Sequence, residues 1–212
     1  HFSRQALEAI GGWDPYNVTE DADLGIRLAR EGRPVTVLAS TTWEEAPPTF
    51  LNWRNQRTRW LKGWMQTYLV HTREPVRMLR ELGWFPFLGL QVLMGGLILS
   101  ALVHPWFYVL AAAEIAWGSL LMVEQSTLSK VMTVIGVVNL VLSYAIGAAL
   151  GCIAVVRRRR PELMLSVLAM PIYWLLISLA AYRALFQLVS TPYKWEKTMH
   201  RPRAIYTSPP DE

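Results

Sequence analysis

Two long stretches without any charged residue constrain what this chain can fold into. Residues 84 to 103 form an uncharged run of 20, and residues 131 to 156 form one of 26. About 20 apolar residues suffice for a helix to cross the hydrocarbon core of a bilayer. Two further candidates are residues 105 to 123 and residues 163 to 182. The sequence therefore predicts an α-helical integral membrane protein with three to four apolar helices in a transmembrane region at 84–189.

Composition supports the same class. Of the 212 residues 52% are hydrophobic and 17% are charged, against about 25% charged in a soluble domain. Cys152 is the only cysteine and lies in an apolar run, which excludes a disulfide framework. The chain begins at His1, with neither an initiator Met nor an apolar signal segment. We therefore expect it to start inside a domain.

Two helices are predicted near the N-terminus, at residues 3 to 10 and at Glu20–Arg30. The first stops at a Gly-Gly pair, which favours a turn. For the second, Thr19 is a candidate N-cap, and the acidic first turn complements the helix dipole. Gly32 is expected to end this helix.

Residues 35 to 39 are rich in β-branched side chains and predict a strand. One strand with two helices is too little to bury a core. We therefore interpret residues 1–66 as an incomplete α/β portion.

An aromatic and basic helix is predicted from residue 50 to about 81, and its last part, 67–83, is expected to lie in the membrane interface. From Arg54 to Glu81 seven Arg or Lys residues face two Glu residues, a pattern typical of contact with anionic headgroups. Further on, Gly147 and Gly151 form a small-xxx-small pair that favours close helix packing. The basic tail, 190–212, is expected to be partly disordered.

Asp21 is the first candidate for chemistry. It can complement the start of a helix, or it can act as a general base toward an acceptor hydroxyl. Asp21-Ala22-Asp23 also imitates a metal-binding Asp-x-Asp motif. Such a motif follows an apolar strand, whereas this one opens a helix, so we reject a metal site here.

The second candidate is the run from Gln56 to Trp60. On a helix these two residues share a face, and Arg59 lies three residues from Gln56. The cluster is either a basic face with an interfacial Trp, or a set of guanidinium forks for phosphate beside a flat ring for a sugar.

Together and in this order, the motifs resemble family 2 glycosyltransferases, in particular the membrane-embedded branch of cellulose, chitin and hyaluronan synthases. The resemblance covers roughly residues 1 to 70. It is carried by Phe2-x-Arg4-x-x-Leu7, Gly11-Gly12-Trp13-Asp14, Thr19-Glu20-Asp21-Ala22-Asp23-Leu24, Arg27-Leu28 and Gln56-Arg57-x-Arg59-Trp60. Beyond that point only the architecture is similar.

The resemblance implies a GT-A-like fold for residues 1–66 and a role for each matching residue. Asp21 would take the proton of the acceptor hydroxyl in an inverting transfer. The acceptor-binding residues would be Trp60, Glu20 and Trp13, and those at the nucleotide diphosphate would be Gln56, Arg57 and Arg59. The tail resembles a C-terminal segment of bacterial members, which implies a channel-mouth position for Trp195, Lys197 and Thr198.

The resemblance also implies partners. They are a nucleotide-sugar donor, a glycan or lipid acceptor and the lipid bilayer, with no nucleic acid. Mg²⁺ or Mn²⁺ is expected in the full-length enzyme, but its ligands and the donor-binding half are not found in these residues. We expect a bacterial inner membrane location with the catalytic part cytosolic, and no turnover by this fragment alone.

Two questions stay open. The run of four arginines, Arg157 to Arg160, and the basic tail both favour the cytosol, but the number of crossings does not place both there without an exception. A transporter or channel module is an alternative function, because Glu114 and Arg183 are ionisable residues within apolar stretches.

Overall fold

The computed structural model describes residues 2–38, 40–42, 44–117, 126–194 and 196. Within these ranges the regular structure is helical and no strand is present. The chain forms two compact units, one of His1–Ile98 with Ala180–Glu212 and one of Leu99–Leu179. The predicted helical class is confirmed for this part of the chain, and three of its helices are long and apolar enough to cross a membrane.

The two N-terminal helices form where the sequence predicts them. α1 spans Arg4–Ala9, and the Ser3 hydroxyl caps it by accepting from the backbone N–H of Ala6. α2 spans Glu20–Arg30 and ends at Gly32, which has a positive φ of 67°. The N–H of Arg33 reaches back to the carbonyl of Leu28 over 3.0 Å, which is the pattern of a Schellman motif.

Thr19 corrects one detail of this prediction. It occupies the N-cap position of α2, but its side chain makes no capping hydrogen bond. Its backbone N–H donates instead to Oδ1 of Asn17 over 2.9 Å, and its hydroxyl lies 3.3 Å from the same oxygen. The hydroxyl is therefore turned toward the preceding loop.

The predicted strand at residues 35 to 39 is wrong for the part that is described. Residues 33–38 have no regular structure, and Val37 is 93% exposed. Ala39 lies outside the described residues. A strand is stable only when its backbone groups pair with a neighbour, and the described residues offer none.

The predicted aromatic and basic helix is interrupted. α3 spans Phe50–His71 and is capped by Thr49, whose hydroxyl accepts from Asn52. After a short turn α4 spans Pro75–Leu82, with proline in the first helical position, where its missing N–H costs nothing. The domain boundaries 1–66, 67–83, 84–189 and 190–212 stay predictions, and α3 continues unbroken through residue 66.

The start of α2 is packed against the middle of α3. Thr19 lies so close to Gly63 that a Cβ added there would be 2.8 Å from Thr19 Cβ, and closer still to its hydroxyl. Beside this contact the Asn17 amide donates to the Thr67 hydroxyl over 2.7 Å, and both residues are buried. Glycine at position 63 is what allows the turn to approach α3.

A buried hydrogen-bonded network ties α2 to α3 and α4. Asp23 is 4% exposed; its Oδ1 lies 2.9 Å from His71 Nε2 and its Oδ2 lies 2.7 Å from Arg27 Nε. Arg30 contacts Nδ1 of the same histidine over 3.0 Å and pairs with Glu81. Arginine can only donate, so Nδ1 accepts and the proton of a neutral His71 sits on Nε2, facing the carboxylate.

The first membrane segment is one continuous helical stretch. α5 spans Trp84–Leu90, a short π-helical segment spans Gln91–Gly95, and α6 spans Gly96–Trp117. Pro105 lies inside α6, so residues 105 to 117 continue the first helix and do not begin a separate span, whereas residues 118–125 are not described. Tyr68 of α3 packs against Gly95 and donates to Gln91 over 2.6 Å, which anchors this stretch on α3.

The remaining helices complete the membrane region. α7 spans Thr127–Arg157, and after a 3₁₀ turn at Pro161–Leu163 a short α8 spans Met164–Leu168. α9 spans Met170–Ser190, and Ala169 separates it from α8. Three described helices are long and apolar enough to cross a membrane: Trp84–Leu110, Val134–Arg157 and Met170–Ser190.

The predicted small-residue contact in α7 is confirmed. A Cβ added to Gly147 would lie 3.0 Å from Trp174 of α9, and one added to Gly151 would lie 3.2 Å from Val167 of α8. The two glycines thus let α8 and α9 pack directly on the α7 backbone.

The Asp23 network makes stability sensitive to acid. Burial opposes ionisation of this carboxyl, but the hydrogen bond from His71 and the charge of Arg27 outweigh it and hold its pKa below the ordinary value of 3.8. A lowered pKa contributes stability above pH 3.8 that is lost as pH falls through the folded value. We expect Asp23→Asn to cost about 1–3 kcal/mol at neutral pH.

Thermal unfolding in detergent, followed by tryptophan fluorescence from neutral pH to below pH 3.8, tests this. The difference between wild type and Asp23→Asn should shrink with acidification. Glu8→Gln is the control, because its ion pair with Arg4 is exposed and should contribute almost nothing. Identical melting curves for the two variants would contradict a stabilising role of the network.

The Thr19–Gly63 contact predicts that Gly63→Ala is destabilising even though alanine favours helices. The added methyl group has to displace Thr19, at a cost of about 1–3 kcal/mol. Gly25→Ala in α2 is the matched control, since nothing lies within 4 Å of the added Cβ. It should be neutral or stabilising. Equal melting temperatures for both alanine variants would show that the turn does not need this close approach.

Candidate active site

Asp21 lies at the exposed start of α2. Its Oδ1 accepts the backbone N–H of Ala22 over 2.9 Å. Its Oδ2 makes no hydrogen bond to the residues that the structure describes. The carboxylate borders a cavity of about 550 Å³ between α2, Trp64 of α3 and the first membrane helix, here called the apolar groove. An open carboxylate oxygen at the edge of a groove can accept a proton from a bound hydroxyl.

Glu20 and Trp13 meet on another side of the same turn. Both line a cleft of about 350 Å³, with Asp14, Pro15 and Asn17 completing the wall. The Trp13 ring is 52% exposed. An exposed indole beside a carboxylate offers both a stacking face and a hydrogen-bond acceptor to a sugar.

The basic cluster of α3 is partly buried. The guanidinium of Arg57 lies over the Trp60 ring, 4.4 Å from its centroid. The Nε atoms of Arg54 and Arg57 are buried without a hydrogen-bond partner among the described residues. Gln56 and Arg59 are half-buried. This end of α3 therefore carries positive charge and donors that the described fold does not use.

The structure brings the acidic turn and the Gln-x-x-Arg-Trp helix together. Thr19, the first residue of Thr-Glu-Asp, packs on Gly63, which lies one helical turn beyond Trp60. Two motifs that are 35 residues apart in sequence are thus joined by direct packing. Thr19 makes the contact between the two motifs. Asp21 bonds to its own helix and Trp60 lies beneath Arg57.

The Asp21-Ala22-Asp23 triplet does not fit a metal ion. Both oxygens of Asp23 are taken, one by His71 and the other by Arg27, and its carboxylate is buried. Asp21 is exposed and bonds to its own helix. Among the described residues no group of three or more His, Cys, Asp or Glu side chains could hold a metal.

Lys62 is one of the seven basic residues expected to form an exposed face between Arg54 and Glu81, and this expectation is wrong for it. It is fully buried, and its Nζ donates to the carbonyls of Lys194 and Thr191 over 2.7 and 3.4 Å. Gln66, one turn along, donates to the carbonyl of Pro192 over 3.1 Å. Burial lowers the pKa of Lys62, and the negative charge of Glu196 acts in the opposite direction. The sequence signal is that apolar Leu61 precedes Lys62 and Met65 follows it three residues later; both are buried in the structure.

Arg183 holds the next part of the tail. Its guanidinium donates two hydrogen bonds to the Glu196 carboxylate, over 2.7 and 2.6 Å. The Gln187 amide donates a third to the same carboxylate over 3.1 Å. The Arg183 contact lowers the pKa of the Glu196 carboxyl. The predicted tail residues Trp195, Lys197 and Thr198 lie outside the described residues.

Comparisons with known proteins agree with these motifs. The family model described as glycosyl transferase family group 2 matches residues 1–192. A "Beta-monoglucosyldiacylglycerol synthase" of Synechocystis sp. is 37% identical over 97 residues, which cover 43% of this chain and 20% of that protein. No solved structure matches the chain significantly.

Two further relatives have less specific names. The "Probable glycosyltransferase YdaM" of Bacillus subtilis is 41% identical over 61 residues, 28% of this chain and 14% of that protein. A "Probable glycosyltransferase" of Sulfolobus acidocaldarius is 37% identical over 62 residues, 29% of this chain and 13% of that protein. The chain thus spans a fifth or less of the length of these curated relatives. Because the family model covers nearly all of it, from the acidic turn to the end of the membrane helices, the chain belongs to glycosyl transferase family group 2.

Proposed function

We propose that this chain is the acceptor-side and membrane part of an inverting glycosyltransferase. It would move a sugar from a nucleotide-sugar donor to a glycan or lipid-linked hydroxyl at the cytosolic face of a bacterial inner membrane. The observation that carries this proposal is the packing of the Thr-Glu-Asp turn on the Gln-x-x-Arg-Trp helix, through Thr19 and Gly63. The family match over residues 1–192 supports glycosyl transfer.

Asp21 is the general base in this proposal. Its carboxylate takes the proton of the acceptor hydroxyl while the acceptor oxygen forms a bond to the anomeric carbon. The bond from that carbon to the diphosphate breaks, and its electron pair leaves with the diphosphate. Attack from the face opposite the leaving group inverts the anomeric centre. The exposed position of Asp21 at the edge of a groove supports this role.

Gln56, Arg57 and Arg59 would bind the departing diphosphate, and Trp60 would stack on the acceptor sugar. The negative charge that develops on the leaving group needs preorganised donors. The buried Nε of Arg57, which has no hydrogen-bond partner among the described residues, supports its availability. Arg57 also covers the Trp60 ring and so links the two subsites.

Donor binding is assigned to a preceding half of the same protein, together with the Mg²⁺ or Mn²⁺ expected for the whole enzyme. The small share of each relative that the chain covers supports this division. The occupied oxygens of Asp23 support it as well, because the acidic triplet of this chain is a poor metal ligand. The GT-A-like character of residues 1–66 belongs to the same proposal.

The tail contacts bear on topology. Lys62 and Gln66 of α3 bind the carbonyls of residues 191, 192 and 194, which supports placing α3 and the start of the tail on the same side of the bilayer. If they lie on the same side, an even number of the three candidate spans between them crosses the bilayer, and not all three. This supports placing both the acidic turn and the start of the basic tail in the cytosol.

The alternative function, a transporter or channel module, is not favoured. Arg183 is engaged bidentately by Glu196 and is therefore not a lone ionisable group within the membrane. Glu114 lies in α6, but the structure does not describe its side chain.

Asp21→Asn in the complete enzyme should abolish transfer, since the amide keeps the size of the side chain but cannot take a proton. We expect a rate loss of about 10²–10⁴ with donor affinity within a few fold of wild type. The assay measures incorporation of labelled sugar into membrane acceptors from a panel of nucleotide sugars. Glu8→Gln, an exposed carboxylate of α1, is the control and should keep full activity. Activity of Asp21→Asn near the wild-type level would return Asp21 to a helix-dipole role.

Arg57→Lys should weaken binding of the nucleotide diphosphate product, because an ammonium cannot reproduce the planar fork of a guanidinium. We expect its inhibition constant to rise roughly tenfold to hundredfold. Arg73→Lys is the matched control, since Arg73 is exposed at the turn after α3. Product inhibition unchanged in Arg57→Lys, together with altered membrane partitioning, would show that the cluster is an interfacial anchor.

A further inference from the structure

The apolar groove has a surface suited to hydrocarbon. One wall is a face of α2 with Ala22, Gly25 and Ala29, and the opposite wall includes Leu90, Leu93 and Leu97. Its volume of about 550 Å³ lies within the range of small-molecule pockets, roughly 300–1,000 Å³. Apart from Asp21, the side chains that line it are apolar. A sugar would find almost no hydrogen-bond partners along this groove.

The position of the groove identifies what is available to fill it. The wall from Pro86 to Leu97 belongs to the first candidate span, Trp84–Leu110. Leu93 in that wall is 75% exposed, so the groove opens on a surface that a bilayer would cover. Alkyl chains of lipids are the hydrocarbon present at that surface, and an empty apolar groove there would forfeit their packing contacts.

Asp21 sets the orientation of such an occupant. It is the only charged side chain on the wall of the groove, and its Oδ2 has no partner among the described residues. A lipid whose chain enters the groove would bring its polar end toward this carboxylate. A hydroxyl at that end can donate to Oδ2.

We propose that the apolar groove holds one alkyl chain of a lipid acceptor and thereby places the acceptor hydroxyl at Asp21. This assignment rests on the proposed function, because it takes Asp21 as the base. It narrows the acceptor from a glycan or a lipid to a lipid with a free hydroxyl. Selection of the acceptor would then depend on the shape of α2 and the first membrane helix.

Two glycines make the groove testable without disturbing the fold. Gly25 and Gly89 both line it, and nothing lies within 4 Å of a Cβ added to either. Gly25→Leu and Gly89→Leu should therefore fill the groove from opposite walls. Gly136→Leu in α7 is the matched control, since its added Cβ also meets nothing within 4 Å and it does not line the groove.

The experiment uses a 1,2-diacylglycerol with a photoreactive diazirine in one acyl chain, in phosphatidylcholine nanodiscs that carry the complete enzyme. After irradiation, mass spectrometry locates and quantifies the cross-linked residues. We expect labelling that saturates with probe concentration and falls on α2 and on the stretch from Leu82 to Leu97. Each groove-filling variant should reduce it by about tenfold, whereas Gly136→Leu should label like wild type.

Three results would overturn the assignment. Labelling that rises in proportion to the probe and falls equally on α7 would indicate bulk lipid around the protein. Undiminished labelling in both groove-filling variants would place the chain elsewhere. Saturable labelling that spares both walls of the groove would show that the groove is closed to the lipid chain.

Failure of the proposed function has a different signature. Asp21→Asn should lose transfer and still label like wild type, because the chain-binding wall is intact. If Asp21→Asn transfers normally while saturable labelling remains sensitive to Gly25→Leu, the catalytic role is wrong and the lipid site stands. If Asp21→Asn loses transfer but the groove-filling variants label normally, the base stands and the lipid site is wrong.

Discussion

The close approach of the acidic turn to α3 is the constraint on which the rest of this structure depends. Glycine at position 63 removes the side chain that would hold the two apart, and the Asn17–Thr67 hydrogen bond fixes the register beside it. Asp23 and His71 repeat the connection further along the same helices. Asp21 itself can then remain exposed, because its neighbours in sequence carry the packing.

α3 acts as the common support of everything near the candidate site. Its first half bears the basic cluster, its middle receives the acidic turn, and Tyr68 anchors the first membrane helix through Gln91. Lys62 and Gln66 bind the chain that follows α9. One helix therefore fixes the acidic turn, the first candidate span and the tail in a single unit, so a shift of α3 would move all of them.

Local features of the fold could be predicted from the sequence, and long-range ones could not. The bounds of α2 follow from its acidic first turn and Gly32, which act within a few residues. The strand at residues 35 to 39 failed because a strand depends on a partner elsewhere in space. Residues 105 to 123 were a candidate for a separate span, but Pro105 lies inside α6, and a helix in a continuous apolar run tolerates a proline. The partnership of Asp23 with His71 spans 48 residues, and no spacing rule reveals it. The two motifs of the candidate site could be recognised in the sequence. Their contact through Thr19 could not, because it joins residues far apart in the chain.

The burial of Lys62 has a consequence for the integrity of the chain. Its charge is satisfied by the carbonyls of Thr191 and Lys194, with Glu196 contributing a favourable field. Cleavage of the polypeptide after α9 would remove both carbonyl acceptors and the charge of Glu196 from the ammonium group in the middle of α3. Loss of the C-terminal segment would thus destabilise α3, which bears the Gln-x-x-Arg-Trp motif and supports the acidic turn near the start of the sequence.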